Sequence, residues 1–483
     1  MKWFVVFAFA FAARAAHARP GGGETYSSSS SSGGGGGGYS SGGGGSYHSS
    51  SSNYNTGSGG GGDFVSVLIG FGMLWGIPLL VVAARHRKWN SPQRAWSPPP
   101  QPPRPLDIEP LLRSDPDFSR PVFEDFAYQL YAAAQRARHD PIALGKLSPY
   151  FTDEVVATLA RRGPRIDQVV IGGLRIIAVG FEHDGSTAVT VSIEANLARR
   201  DGTINVVERW RFVRADGVKS KPPEKTRTFP CPSCGAPWRA GADASTCAHC
   251  GTVMGAGLYD WTVTSISVDA EKSVGQTLTG TVEEVGNDFP TIEDSDAQVL
   301  FMHLRQEDPN VTWEAFSAHL KMIYERLNQA WNAQDLSSVR GLVTSSLLSY
   351  LQFWIDEYKR QRLANKLDDA TIEHMQLAKT TRDKYYDAVT VRVYAIGVDY
   401  TVNAGGKVVG GSRDVRRKYT EYWTLLRSST RRGPITTTPN CPNCGAPLAI
   451  SNAGTCTHCN AEVESGSFDW VLSKIEQDDV YCG

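Results

Sequence analysis

The sequence lacks the signatures of the common enzyme and nucleic-acid-binding classes. Its 49 Lys and Arg residues balance 50 Asp and Glu residues, and a formal net charge of −1 gives no overall attraction for nucleic acid. A nucleophile elbow, a phosphate-binding glycine loop and a catalytic metal motif are also missing. These absences favour a binding or scaffold protein, and 483 residues leave room for two or three domains.

Two N-terminal segments lack the composition of a folded domain. Residues 19–62 are mostly Gly and Ser, and such a segment cannot bury enough apolar surface to offset the entropy lost on ordering. We therefore expect a disordered tail there. Residues 86–106 combine basic side chains with many prolines, which predicts a stiff, extended linker.

The first 18 residues have the features of a secretory signal peptide. A basic start, Met1-Lys2, precedes an apolar run, and Ala16-His17-Ala18 supplies the small-x-small pattern of a cleavage site. The run is too uniformly apolar for a mitochondrial presequence, which is amphipathic and rich in Arg. An uncleaved membrane anchor is the alternative interpretation of residues 1–18.

Residues 63–85 predict one transmembrane helix. The stretch from Phe64 to Ala84 carries no charge and is long enough to cross about 30 Å of hydrocarbon. Basic side chains follow directly, and by the positive-inside rule they face the cytoplasm. This pattern predicts a single-pass protein with an external Gly/Ser tail and cytoplasmic globular domains.

Eight of the nine cysteines form two sets of paired C-x2-C motifs with nearly equal spacing. Four thiolates so arranged converge tetrahedrally on Zn²⁺ and leave no open coordination position, so we predict two structural zinc ions. Disulfides would need an oxidising compartment, and a redox motif would occur once, at the start of a helix. The predicted ligands are Cys231, Cys234, Cys247 and Cys250 in a zinc ribbon at 229–255, and Cys441, Cys444, Cys456 and Cys459 in a zinc ribbon at 439–465. Cys482 is expected to be a free thiol.

The sequence also contains an internal duplication. Asp115-Pro116 and Asp308-Pro309 stand at the same distance before Phe123 and Phe316, and an amphipathic helix follows each pair. A second helix, several strands, a zinc ribbon and a final strand beginning with Asp-Trp complete each copy. The predicted boundaries are 107–267 for the first domain, 268–296 for an acidic linker and 297–483 for the second domain.

A group of residues in the second copy carries a family resemblance. They are Phe316, Tyr324, Ala330-Trp331-Asn332, Asp335-Leu336 and Arg340, with the strands 389–400 and 421–427. This pattern resembles the Tim-forty-four-like domain family, the C-terminal domain of a mitochondrial import-motor tether that also occurs in bacterial membrane proteins. In the first copy, Arg138 replaces Trp331.

The resemblance implies an α+β fold class. It predicts two tandem cone-shaped nuclear transport factor two-like domains with inserted four-cysteine zinc ribbons, after one transmembrane helix. Family members bind membrane surfaces and partner proteins in translocation or assembly, which implies a non-catalytic scaffold that holds proteins or lipids at the bacterial inner membrane. Four aromatic residues would line an apolar pocket, or else are simply core: Phe126, Trp210, Tyr324 and Trp423.

An enzyme is one alternative, because the cone fold also hosts isomerases and hydrolases that act on small apolar substrates. Such sites need a buried carboxylate. Glu208 and Glu421 occupy matching strand positions, with Arg214 and Arg427 six residues further on. A structural pairing of charges at the rim of the cone explains this pattern more simply.

Nucleic-acid binding through the ribbons is the other alternative. Basic or aromatic residues lie near both ribbons: Lys219, Lys221, Lys225, Arg227, Trp238, Arg239, Arg431 and Arg432. Phosphate binding needs clustered cations, however, and the loop of the second ribbon is neutral. We therefore expect a protein or lipid partner and no nucleic acid.

Overall fold

The computed structural model describes residues 106–483 apart from short gaps, which are residues 201, 224–225, 227–228, 242–244, 256, 275–277, 279–285, 436–439, 452–453, 462 and 479. The predicted signal peptide, Gly/Ser tail, transmembrane helix and nearly all of the proline-rich linker lie outside the described residues. Among the helices of the described part, none has the length and apolar composition needed to cross a bilayer.

The first domain packs helices against a four-stranded antiparallel sheet. Its helices are α1 (Glu109–Ser114), α2 (Arg120–Ala137), α3 (Pro141–Gly145) and α4 (Asp153–Ala160), with a 3₁₀ turn at Ser148–Tyr150. Its strands are β1 (Gln168–Phe181), β2 (Thr187–Arg199), β3 (Gly202–Arg214) and β4 (Thr262–Val274). Each strand pairs with the next one along the chain, so the sheet order is β1-β2-β3-β4.

The second domain repeats this order of elements. Its helices are α5 (Ala297–Glu307), α6 (Trp313–Ala333) and α7 (Ser345–Arg360), with a 3₁₀ turn at Ser337–Val339. Its strands are β5 (Leu363–Arg382), β6 (Tyr386–Asn403), β7 (Val408–Ser428) and β8 (Val471–Gln477), again paired in chain order. The mixed helix-and-sheet class predicted from the sequence is therefore confirmed, with two four-stranded antiparallel sheets.

The long helix of each domain is capped at its start and buries one face on the sheet. Ser119 caps α2 and Thr312 caps α6, because each side-chain oxygen accepts a backbone N–H of the first turn. On the buried face of α2, Tyr131 packs against Trp210 with ring centroids 4.9 Å apart. The equivalent Tyr–Trp pair of the second domain has centroids 5.6 Å apart. The same aromatic contact therefore fixes the helix on the sheet twice.

Two strands differ from the sequence interpretation. β5 gives no clear strand signal in the sequence, because bulges after Asp368, Ile372 and Leu377 break the alternation of buried and exposed residues along it. β4 runs on to Val274, beyond the predicted end of the first domain at residue 267. Its outer end carries charged residues, so it lacks the apolar pattern by which strands are recognised.

The end of the predicted acidic linker packs on the outer face of the second sheet. Buried Arg392 of β6 donates to the carbonyl oxygen of Phe289 at 2.6 Å and forms an ion pair with Asp478 at 2.9 Å. The backbone N–H of Ile292 donates to the Tyr422 hydroxyl at 2.9 Å. This part of the linker is thus an ordered layer of the second domain rather than a free connection.

Both domains contain a buried Asp–Arg ion pair beside a tryptophan. Arg214 Nη1 lies 2.8 Å from Asp115 Oδ2, and its guanidinium stacks 4.4 Å from the Trp261 ring. In the second domain the Arg427–Asp308 distance is 2.9 Å, and the guanidinium lies 4.8 Å from the ring of the matching tryptophan. The Asp-Pro and Asp-Trp motifs noted in the sequence therefore meet at one buried contact in each copy.

The expectation that Arg214 and Arg427 pair with Glu208 and Glu421 at the rim is wrong. All four side chains are buried, and each arginine faces an aspartate that is distant in sequence. Alternation along a strand places the glutamate and the arginine on one face of the sheet, but it does not show which residue from elsewhere in the chain contacts the arginine. In each domain that residue is the aspartate that follows the first helix.

We predict that Arg427→Met destabilises the protein by about 3–5 kcal/mol, since Asp308 and Asp387 lose their shared buried cation. Burial raises the pKa of Asp308, but hydrogen bonds from Asn310 and Arg427 outweigh it and hold that pKa below its usual value. A carboxyl group whose pKa is lower in the folded state than in the unfolded state stabilises the fold at pH values above its unfolded-state pKa. This stabilisation is lost as the pH falls through the folded-state pKa. The difference in unfolding free energy between the parent protein and Arg427→Met should therefore be largest near neutral pH. It should become smaller below about pH 4.

Thermal or urea unfolding at several pH values measures this deficit. Arg432→Met is the matched control, because Arg432 is 39% exposed and pairs with Glu307, which is 48% exposed. It removes the same charge from the surface and should change stability little. Equal effects of the two variants would contradict the structural role of the buried pair.

Candidate metal centres

The cysteine clusters are long insertions between the last two strands of each sheet. The first lies between β3 and β4, and the second between β7 and β8. Both hairpin roots are closed by backbone hydrogen bonds, from Ala215 N–H to Gly257 O at 2.9 Å and from Ser428 N–H to Gly466 O at 2.8 Å. The sheets are therefore complete without the insertions, because each insertion leaves its sheet and returns to it at the same hairpin root.

The sulfur positions fit a tetrahedral metal site. In each cluster the four Sγ atoms lie within 4.8 Å of one another. The separation is 3.9 Å for Cys231 and Cys250, and 3.8 Å for Cys441 and Cys459. Four thiolates about 2.3 Å from a zinc ion would be about 3.8 Å apart, whereas a disulfide needs about 2.0 Å. The two groups can therefore hold one metal ion each.

Tight turns aim the cysteine pairs. Gly235 and Gly445 follow the first pair of each cluster with φ of 76° and 73°, a left-handed conformation that favours glycine. Each donates its N–H to the carbonyl oxygen of the first cysteine of the pair, at 2.9 Å and 2.8 Å. The second pairs close in the same way through Gly251 and Asn460, also at positive φ. All four turns thus have the form of a metal-binding knuckle.

Each cluster contains one thiol whose pKa is raised and one whose pKa is lowered. Burial raises the pKa of Cys231 to about 12. The Ala446 N–H lowers the pKa of Cys444, but burial and the neighbouring cysteines outweigh it and raise that pKa to about 11. Polar groups beside the other two sulfurs favour the thiolate form. The Thr252 hydroxyl lies 3.2 Å from Cys250 Sγ, and hydrogen bonding from Thr252 lowers the pKa of that thiol to about 6. Asn443 Nδ2 donates to Cys459 Sγ at 3.4 Å, and this contact lowers the pKa of Cys459 to about 6 as well. His249 and His458 are exposed, and neither belongs to a cluster.

A buried glutamate and an arginine dock the second ribbon on its domain. Arg340 Nε lies 3.0 Å from Glu464 Oε1, and its other nitrogens donate to the carbonyl oxygens of Ile450 and Ser451 at 3.2 and 2.6 Å. The Ser345 hydroxyl donates to the same glutamate at 2.6 Å. The sequence analysis identified Arg340 only as part of the family resemblance. Its contact with the ribbon could not be predicted, because the residues around Arg340 give no sign that the ribbon folds back onto it.

The four aromatic residues proposed for a pocket lie in the hydrophobic cores. Phe126, Trp210, Tyr324 and Trp423 are only 3%, 0%, 2% and 1% exposed. The two tryptophans donate their ring N–H to Glu208 and Glu421, at 2.8 and 2.9 Å. The Tyr324 hydroxyl forms a hydrogen bond of 2.5 Å with the Tyr419 hydroxyl. Their arrangement is that of packed core, the alternative that the sequence left open.

Most described cations near the ribbons are engaged within the chain. Lys221 pairs with Asp260 at 2.9 Å, Arg431 donates to the carbonyl oxygen of Pro434 at 2.8 Å, and Arg432 pairs with a glutamate. Trp238 is 7% exposed and packs on the cysteine cluster. Lys225 and Arg227 lie outside the described residues. These contacts leave fewer cations for phosphate than the sequence suggests.

Comparison with known proteins gives one family. Residues 297–436 match the family model of the Tim44-like domain. The match lies wholly in the second domain and ends before the second cysteine cluster. No curated protein matches the sequence. A solved structure titled "Ntf2 like protein involved in plasmid conjugation" is similar at 7% identity, with 75% of this chain and 96% of that chain covered and a TM-score of 0.17.

We predict two zinc ions per chain in protein purified under reducing conditions. Replacing Cys231 and Cys234 by Ser should leave one ion, because the two clusters share no ligand. Elemental analysis of the full chain measures the ratio. Cys482→Ser is the matched control and should retain two ions, since Cys482 belongs to neither cluster. A metal content near zero in the reduced parent protein would refute the assignment.

We also predict that Arg340→Met releases the second ribbon without emptying it. The variant leaves Glu464, which is 1% exposed, without its cation, a loss of roughly 3 kcal/mol at most because the arginine is itself 21% exposed. Limited proteolysis should cut the second ribbon faster while the zinc content stays at two. Arg239→Met, at an exposed site in the first ribbon, should change neither. Loss of one zinc ion in Arg340→Met would show instead that docking is needed for metal binding.

Proposed function

We propose that this protein is a membrane-anchored, non-catalytic scaffold that holds proteins or lipids at the cytoplasmic face of a bacterial inner membrane. The observation that carries this proposal is the Tim44-like domain at residues 297–436, since domains of this kind have binding roles in membrane-associated settings. An enzyme with a cone-shaped fold is the less favoured candidate.

Attachment to the membrane is supported by the sequence before the globular part. An uncharged stretch of spanning length, Phe64 to Ala84, is followed by a basic cluster and a proline-rich linker. Such a linker would hold the domains at a distance from the bilayer, within reach of partners there.

A non-catalytic role is supported by the engagement of the buried carboxylates. Glu208 accepts from Arg162 at 2.7 Å and from Trp210, and Glu421 accepts from Gln477 at 3.1 Å and from Trp423. These contacts give both glutamates a positioning role inside the fold. A general base would instead need an oxygen free to take a proton from a substrate.

The zinc ions would have a structural role, because four thiolates complete the coordination of each ion. Each ribbon is then a small module that folds on its own metal at the end of a hairpin. Two such modules on two similar domains would present two surfaces to partners.

We predict that the full chain behaves as an integral membrane protein. It should remain in the membrane fraction after alkaline wash, and deletion of residues 64–84 should release it. In intact spheroplasts, external protease should remove only the N-terminal tail, and residues 107–483 should be cut only after lysis. Release by alkaline wash, or digestion of the globular part in intact spheroplasts, would refute the proposed topology.

A further inference from the structure

The first domain contains a cleft of about 230 Å³ between the end of α2, the loop after α4 and the strands β2 to β4. Apolar side chains form one wall, namely Leu197, Ile204 and Val206. Three arginines and two glutamates also line the cleft, so its charged groups carry an excess of one positive charge. A cleft with apolar walls and a few converging charges has the composition of a small-molecule site.

The second domain fills the corresponding space. Arg138 and Trp331 occupy the same position relative to the Asp-Pro motif of their domains. Trp331 is 2% exposed and donates its ring N–H to Asn365 at 2.9 Å. Val206 and Tyr419 each stand two residues before the buried glutamate, so a small side chain in the first domain replaces a large one in the second.

A difference in helix length opens the cleft further. α4 has 8 residues, whereas α7 has 16 and continues for two more turns. Near its end α7 contributes Tyr358, whose ring packs against Trp331 with centroids 6.3 Å apart. The first domain has a loop at this place, with Gly163 and Pro164 at the edge of the cleft. The space therefore follows from three local differences between the copies.

Arg138 is a buried cation in the cleft whose hydrogen bonds go only to neutral groups. It is 6% exposed, and two of its nitrogens donate to Gln135 at 3.0 Å and to the Pro164 carbonyl oxygen at 3.1 Å. Its Nε has no partner among the described residues. Burial, with the charge of nearby Arg162, lowers the pKa of Arg138, and these two effects outweigh the attraction of Glu208 and Glu271. Glu208 pairs directly with Arg162 and reaches Arg138 only through the side chain of Gln135. Among the described residues no carboxylate lies in direct contact with Arg138, so an anion bound there would stabilise this buried cation.

We propose that this cleft binds a small amphipathic carboxylate, with its anionic group at Arg138 and its apolar part against Leu197, Ile204 and Val206. A guanidinium matches a planar carboxylate through paired N–H donors, which favours this anion. The apolar wall favours a ligand with a short hydrocarbon portion. The proposal goes beyond the scaffold function and does not depend on attachment to a membrane.

The test uses the purified, zinc-loaded full chain in detergent and hexanoate as the probe. Hexanoate should bind at one saturable site by calorimetry, with at least tenfold weaker binding of hexanamide and hexylamine. A tripeptide with a free C-terminus, compared with its amidated form, distinguishes the carboxyl end of a peptide from a free acid as the source. Saturable binding of either carboxylate probe, lost on amidation, supports the site.

Substitutions in the first domain test whether the carboxylate probe binds in this cleft. Arg138→Gln should weaken binding of the carboxylate probe at least tenfold, while Arg136→Gln, at an exposed position on the same helix, should leave it unchanged. Val206→Tyr, which introduces the side chain found in the second domain, should also abolish binding, and it keeps the test valid if Arg138→Gln fails to fold. Saturable binding that is indifferent to both variants, or no saturable binding of any carboxylate probe, would overturn the proposal. Neither result would bear on membrane attachment.

Discussion

The buried Asp–Arg pair beside a tryptophan is the contact on which each domain is organised. Asp115 immediately follows α1, Arg214 ends β3 and Trp261 immediately precedes β4, so one cluster joins the helices, the sheet and the root of the ribbon. The pair is costly to break because either partner alone would be a buried charge. It therefore holds the hairpin root closed, and a long insertion beyond it does not disturb the sheet.

That common frame allowed the two copies to diverge in their interiors. Both keep the aromatic contact between the long helix and β3 or β7, but the second domain adds bulk where the first does not. The copies also contact each other, since Lys474 of the second domain lies 2.6 Å from buried Glu124 on α2. Burial raises the pKa of Glu124, but Lys474 and Arg120 outweigh it and lower the net value. An ion pair thus connects the helix of one copy to the last strand of the other.

Features that depend on local patterns were predictable from the sequence, and features that depend on distant packing were not. Cysteine spacing located both clusters, and helical periodicity located α2 and α6, because each signal lies within a few turns of chain. The ion-pair partner of Arg214 was missed because strand alternation shows which face of the sheet a side chain lies on, but not which residue packs on that face. β5 was missed because its bulges interrupt the alternation.

The cleft was also beyond sequence reasoning, although its cause is written in the sequence. The replacement of Trp331 by Arg138 was visible, but only the fold shows that this position is buried and that α4 stops before it can cover the gap. An unfilled space beside a buried arginine lowers the stability of the first domain relative to a core filled as in the second, because packing contacts are lost. Natural proteins commonly tolerate such a cost where a site must stay open. The ion pair between Lys474 and Glu124 ties the copy with the cleft to the copy with the filled core, so the two differ in their interiors while they remain in contact.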